Sequence, residues 1–264
     1  MPELPEVETI RRALEPRLLG RRLLEAQFLA WRVARRRGGR IAARLRGQTV
    51  RAVRRYGKHL VVEFESGLLL AIHLGMTGSL LWNGERGPHT RALLVFDNGC
   101  LLFDDPRQFG RIELAATLPE RIARLGPEAP EISKAEFVER LQHRRGALKP
   151  LLLNQTFLRG LGNIYTDEAL FRAGIHPRAV AARLRPQRAA RLHRAIREVL
   201  EAAIASGGTS VSDYVDAEGH PGRFQLQLKV YGRTGEPCPR CRGPIRRIVI
   251  GQRGTHFCPK CQRL

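Results

Sequence analysis

The chain has 264 residues, 43% hydrophobic and 27% charged, enough for two modest domains each able to bury a core. No stretch approaches the roughly 18 uncharged apolar residues that a membrane span needs, and an acidic start followed by Arg11 and Arg12 lacks the apolar heart of a secretory signal. A cytoplasmic protein with no membrane partner is therefore expected. The formal net charge of +21 exceeds what solubility demands and asks for a polyanionic partner; five lysines against 41 arginines put that charge on planar, bidentate phosphate-binding forks.

The first six residues, Met-Pro-Glu-Leu-Pro-Glu, read as a helix start, with prolines and acids in the first turn favoured by sterics and the helix dipole. They also carry chemistry. Initiator methionine is usually removed before a small residue such as proline, which makes Pro2 a free secondary amine. An α-amino group titrates near pH 8, so about a tenth of it is uncharged at neutral pH and nucleophilic. Attack of such an amine on a sugar C1′ gives a cationic iminium directly, and Glu3 and Glu6 stand beside it to move protons. Val7, Ile10, Leu14 and Leu18 then repeat at helical spacing up to Gly20.

Short strands are predicted over 23–33, 40–55, 59–65, 68–74, 91–96 and 101–103, punctuated by Gly38-Gly39, Ser66-Gly67 and Asn98-Gly99, which implies an antiparallel sandwich. Arg32 to Arg46 holds seven arginines and no acid, either a nucleic-acid-facing edge or a charged hairpin guarding an exposed strand. Met76, in Leu74-Gly-Met-Thr-Gly78, and Phe109, two residues from Arg107, sit in glycine-flanked turns with the composition of wedges that hold a duplex open; core packing is the plainer reading of each.

Past Arg111 helices take over. A proline-bearing stretch around Gly126 reads as a linker, and Ser133 with Glu136 has capping-box spacing. Helices are predicted over 147–153, 164–173 and 186–205. Gly162-Asn163 offers backbone N–H groups at a helix start, either an anion site or an ordinary cap. The expected organisation is 1–115, a helix and β-sandwich domain; 116–132, a linker; 133–224, a helical domain; and 225–264, a cysteine module.

Cys238-x-x-Cys241 and Cys258-x-x-Cys261, separated by 16 residues, have the spacing of a four-thiolate zinc site. Four thiolates leave no open coordination position, so one structural Zn²⁺ is expected, supplying folding energy that a 40-residue segment cannot draw from its own core. Nine basic side chains accompany a single acid, Glu236, from residue 225 onward, which marks the module as a phosphate-binding device. Cys100 is left as an inert thiol.

The joint order of Pro2-Glu3, Lys58, Met76, Arg107-x-Phe109, Gly162-Asn163 and the cysteine module resembles bacterial formamidopyrimidine-DNA glycosylase over the whole length. The resemblance implies an α+β, multidomain repair enzyme: an N-terminal helix with an antiparallel β-sandwich, then a helix-two-turn-helix domain with a four-cysteine zinc finger. It implies a monomer, associated with the bacterial nucleoid, that binds double-stranded DNA containing oxidised bases or abasic sites in the cleft between its domains, excises 8-oxoguanine and formamidopyrimidines, and nicks the abasic strand. By matching position, Pro2 is the Schiff-base nucleophile, Glu3 the acid and Glu6 its support; Lys58 serves β-elimination and phosphate contact, and Arg253 grips phosphates and is linked to δ-elimination. His73, His89, Arg144, Lys149 and Asn163 match DNA contacts, and Met76, Arg107 and Phe109 match the trio that fills the gap left by a flipped nucleotide. Residues 207–224 match a mobile loop over the extruded base. Gln108 and Asn154 depart from the pattern, which commonly has arginine and aspartate there. An endonuclease VIII-like enzyme for oxidised pyrimidines, and a noncatalytic zinc-stapled DNA-binding protein, are the competing readings.

Overall fold

The computed structural model describes every residue except Ser212, and the chain divides into two compact units: Met1–Arg124 with Ile204–Gln225, and Leu125–Ala203 with Leu226–Leu264. No helix among the described residues is long and apolar enough to cross a membrane.

The first unit opens with α1 (Leu4–Leu18), whose Val7, Ile10, Leu14 and Leu18 are almost wholly buried. Eight strands follow: β1 (Leu23–Phe28), β2 (Val50–Tyr56), β3 (His59–Phe64), β4 (Leu69–His73), β5 (Ser79–Trp82), β6 (Thr90–Phe96), β7 (Gly99–Asp104) and β8 (Arg111–Ala115). They form two antiparallel four-stranded sheets, ordered β1-β6-β7-β5 and β2-β3-β4-β8. Alternation drives the pairing: β6 buries every second residue, so Ala92, Leu94 and Phe96 enter a core shared with Leu60, Val62, Leu70 and Ile72 of the other sheet. Truncating a fully buried leucine such as Leu14 to alanine costs about 2–5 kcal/mol.

Three sequence expectations are corrected here. Residues 40–45 are not strand: α2 (Gly38–Leu45) forms because Ile41 and Leu45, four apart, bury on one face while Ala42 and Ala43 favour helix. β1 stops at Phe28, and residues 31–36 make a tight turn instead of a hairpin edge. β5 and β8 were not predicted; both are short strands whose pairing is decided by β7 and β4 beside them. A one-turn helix, α3 (Glu120–Ala123), ends this part of the chain.

The second unit holds α4 (Lys134–Gln142), α5 (Leu148–Leu153), α6 (Asn163–Ala173), most of α7 (Pro186–Ala205) and the hairpin of β9 (Arg246–Ile250) with β10 (Arg253–Phe257). Ser133 caps α4 by accepting from Glu136 N–H at 3.1 Å. Gly174, at φ 65°, closes α6 in the left-handed conformation that glycine adopts without penalty. Leu192, Ile196, Val199, Leu200 and Ala203 form the buried stripe of α7.

Candidate functional site

The start of α1 is built around two buried carboxylates. Glu3 is the N-cap, and a reciprocal capping box joins it to Glu6: the Glu3 side chain accepts from the backbone N–H of Glu6, while Glu3 N–H donates to Glu6 Oε2 at 2.7 Å. Both glutamates are 2% exposed and Pro2 is buried beside them. Glu6 also accepts at Oε1 from Thr209 N–H, 2.8 Å away. Burial holds the terminal amine of the chain below its usual pKa; Glu3 and Glu6 oppose that effect and the Lys58 charge adds to it.

Lys58 is nearly buried in the two-residue turn between β2 and β3, where Gly57, at φ 57°, supplies the left-handed first position. The turn is tied to α1 through Arg55, which donates from Nε to Glu8 at 3.0 Å and from Nη1 to the Gly57 carbonyl at 3.3 Å. Burial disfavours the Glu8 anion, but hydrogen bonds from Arg11, Arg12 and Arg55 outweigh it and hold its pKa at about 2. Glu8 and Arg55 are positioning residues that sequence reading missed; the only signal was an acid one helical turn from Arg11 and Arg12.

His59 and His73 face each other across β3 and β4 with ring centroids 4.7 Å apart. Burial, then the His59 ring and the Lys58 charge, push His73 down to about 3; burial, then Arg121, push His59 down to about 4. Both are neutral at physiological pH. Gly75 N–H donates to His73 Nδ1 at 3.1 Å, so the ring proton sits on Nε2 as a donor.

Met76 (42% exposed) and Phe109 (51% exposed) tip two loops joined through Asp105. Its fully buried carboxylate accepts from Thr77 Oγ1 at 2.6 Å and from Gly110 N–H at 2.7 Å, and Thr77 Oγ1 in turn accepts from Arg107 N–H at 3.3 Å. Gly75 permits the approach, since a Cβ there would lie 2.6 Å from Gly110 N. The Arg107 guanidinium stacks 4.8 Å above the Phe109 ring. His89 is exposed nearby, its carbonyl accepting from Asp105 N–H. Asp105 and Thr77 were also missed, although an aspartate immediately before a proline marks a turn start.

Residues 207–224, expected to form a mobile loop, are densely tied where described; Ser212 lies outside the described residues. Besides the bond to Glu6, Ser210 Oγ donates to the Tyr214 carbonyl at 2.6 Å and accepts from Gly222 N–H, and Tyr214 OH donates to the Glu6 carbonyl at 3.3 Å. Gly208 and Gly222 touch so closely that a Cβ on Gly222 would meet Gly208 O at 2.3 Å.

In the second unit Arg253 is exposed at the head of the β9–β10 hairpin, whose turn residues Gly251 and Gln252 both have positive φ, as a two-residue type I′ turn requires. Lys149, expected as a DNA contact, is fully buried, its ammonium 2.6 Å from Asp167 Oδ1 and 3.0 Å from Gly254 O, which ties it to the hairpin that carries Arg253. Asn163 donates to the same Gly254 carbonyl at 3.0 Å, and Asp167 takes the His256 N–H at 2.8 Å. Arg144 lies exposed in the turn after α4.

The four sulfurs of Cys238, Cys241, Cys258 and Cys261 lie within 4.8 Å of one another, with Cys241 to Cys258 at 3.4 Å and Cys238 to Cys261 at 3.9 Å. Zn–S bonds of about 2.3 Å in a tetrahedron set sulfurs roughly 3.8 Å apart, so the thiolates fit a structural zinc. The module is seated on α6: Glu168 accepts the N–H groups of Lys229, Val230 and Tyr231, and Arg240 caps the Phe171 and Arg172 carbonyls while stacking on the Phe171 ring.

Residues 1–112 match the formamidopyrimidine-DNA glycosylase N-terminal domain, 125–215 that family's H2TH domain, and 235–264 the zinc finger found in FPG and IleRS. The formamidopyrimidine-DNA glycosylase of Solibacter usitatus is 56% identical over all of both chains, and that of Pelotomaculum thermopropionicum is 42% identical, again over all of both chains. Among solved structures, MutM (FPG) from Thermus thermophilus superposes with TM-score 0.90 at 44% identity, covering 99% of this chain and 98% of that one. Lactococcus lactis Fpg in complex with abasic-site DNA does so with TM-score 0.92 at 38% identity, covering 99% of this chain and 100% of that one. Fold, thiolate cluster and these relatives define a DNA repair glycosylase with a zinc finger. The chain belongs to the formamidopyrimidine-DNA glycosylase family.

Proposed function

We propose that the protein removes oxidised purines, 8-oxoguanine and formamidopyrimidines, from duplex DNA through a Schiff base at Pro2 and then nicks the abasic strand by β,δ-elimination. The observation that carries this reading is the buried chain start, where Pro2 lies beside the capping-box pair of buried carboxylates, Glu3 and Glu6. Loss of Met1 makes the chain terminus the Pro2 nitrogen, a secondary amine in a rigid ring at the same buried start. Attack on C1′ displaces the base, and the iminium draws electrons for loss of the 3′ and then the 5′ phosphate. Glu3 protonates the leaving sugar oxygen or base; Glu6 holds Glu3 and the 207–224 loop in place. Lys58 serves β-elimination and phosphate contact, and Arg253 binds phosphate and serves δ-elimination. His73, through Nε2–H, with His89, Arg144 and Asn163, contacts the backbone. Met76, Arg107 and Phe109 occupy the gap left by the extruded nucleotide, with Arg107 facing the orphaned base.

The partner is double-stranded DNA carrying an oxidised base or abasic site, met by a monomer in the bacterial nucleoid. One zinc, held by the four cysteines, supplies folding energy to the hairpin carrying Arg253.

Borohydride is expected to trap a covalent adduct with 8-oxoguanine duplex, and Pro2→Gly or retention of Met1 to abolish or cripple it; an unchanged adduct yield eliminates the mechanism. Faster excision of thymine glycol than of 8-oxoguanine opposite cytosine assigns the oxidised-pyrimidine activity instead. A strong chelator is expected to release one zinc per chain and abolish duplex binding; full binding by metal-free protein contradicts the structural role.

A further inference from the structure

The turn after β1 carries a feature that the proposed chemistry does not use. Trp31 is 58% exposed, and the Arg32 and Arg36 guanidiniums lie over its ring at 5.2 and 4.9 Å. Trp31, Arg32, Arg35, Arg36, Phe109 and Arg111 line one cavity of about 550 Å³. The turn is held firmly: Val33 and Ala34 are buried, Ile112 N–H donates to Val33 O at 2.8 Å, and Arg36 N–H to Trp31 O at 2.8 Å. Arg35 and Arg36 adopt φ of 47° and 61°, a left-handed conformation that side chains of this size rarely take, so the fold maintains it against local preference.

None of the four guanidiniums shares an ion pair with a carboxylate among the described residues, and no acid occurs between Arg32 and Arg46. Glu113, which lines an adjoining cavity with Arg35 and Arg111, is paired with Arg121, so the four guanidiniums have no carboxylate of their own. Stacking on tryptophan immobilises a guanidinium while leaving its N–H edge open, which suits a phosphodiester oxygen better than a free carboxylate. Phe109, which lines the same cavity, is the side chain that the proposed function sets against duplex DNA.

We propose that this cavity is a further DNA-backbone site bordering the gap-filling trio at Phe109, in which Arg35, Arg36 and their neighbours hold a phosphodiester and Trp31 packs against the attached sugar. It rests on the duplex-DNA reading above and extends the bound footprint along the Phe109 side. Inorganic phosphate shares the chemistry but supplies one anion without the sugar.

Titration with undamaged duplex, followed by tryptophan emission, tests it. The wild-type signal is expected to change with DNA and not with inorganic phosphate, and the change to vanish in Trp31→Phe, which leaves Trp82 as the only other tryptophan. The double variant R35A/R36A is expected to lose on the order of tenfold in affinity, with a log-log salt slope shallower by about 1.8. R44A/R46A removes the same charge from α2 and its C-terminal edge, and should change the slope by less than half as much. An emission change that survives in Trp31→Phe, a response to inorganic phosphate alone, or equal slopes for the two double variants overturns the proposal. Wild-type borohydride trapping, run in parallel, reports separately on the glycosylase reading.

Discussion

Glu6 and Thr209, 203 positions apart in the chain, are joined by a 2.8 Å hydrogen bond from the Thr209 N–H to Glu6 Oε1, while the other carboxylate oxygen takes the N–H of Glu3. One side chain thus couples the helix start to the 207–224 loop. Glu6→Gln keeps one acceptor and turns an N–H₂ toward the other donor. The expected outcome is a loss of about 1–3 kcal/mol, the usual effect of orphaning a buried donor, and slower single-turnover excision at saturating DNA. Wild-type values for both in denaturant titration and quenched-flow assays make the coupling idle.

Asp105 holds the Met76 and Phe109 loops together through Thr77 and Gly110. Asp105→Ala leaves the buried Gly110 N–H and the half-buried Thr77 hydroxyl without their acceptor and is expected to cost about 1–3 kcal/mol. The loops should then separate, so that lesion excision suffers more than binding to undamaged duplex. Equal losses in the two assays would assign Asp105 to general stability alone.

Acid should weaken the first unit in two overlapping windows. Folded His59 and His73 refuse protons until about pH 4 and 3, whereas unfolded histidine accepts one near 6.5, so stability drains as pH falls below 6.5. Glu8 stays ionised in the fold to about pH 2 against an ordinary 4.5; its contribution is complete above pH 4.5 and disappears toward pH 2. Melting temperature is expected to be level from pH 7 to 8 and to fall below 6.5. Glu8→Gln should flatten the lower part of that curve. A melting curve indifferent to pH between 7 and 3 contradicts the arrangement.

Lys149 and Asp167 form a completely buried ion pair beneath the β9–β10 hairpin. Removing one member strands a charge, so Lys149→Met is expected to cost about 3–5 kcal/mol, measured by chemical denaturation. DNA affinity should fall with it because Arg253 loses its support. Intact stability with lowered affinity would return Lys149 to a direct contact role.

Much of this protein was readable from local pattern. The period of Val7, Ile10, Leu14 and Leu18 determined α1, and the bounds of α7 followed from Pro186 and the glycines after Ala205, because helix formation depends on neighbours three and four residues apart. Cysteine spacing likewise announced a four-thiolate cluster before any sulfur was placed. The 38–45 segment escaped because its arginines hid a stripe of only two buried residues, Ile41 and Leu45. Asp105, Glu8 and Thr209 escaped for another reason: their roles lie in partners 28, 47 and 203 positions away, and no periodicity reports such distances. Lys149 shows the same limit in reverse, since its match to a family position gave it as a DNA contact and only the packing of α5, α6 and the hairpin decided that it is buried. Sequence by itself determined which groups are available, through backbone and helical periodicities written along the chain. Tertiary structure decided which of them meet, because burial and long-range hydrogen bonds arise only when distant segments close on one another.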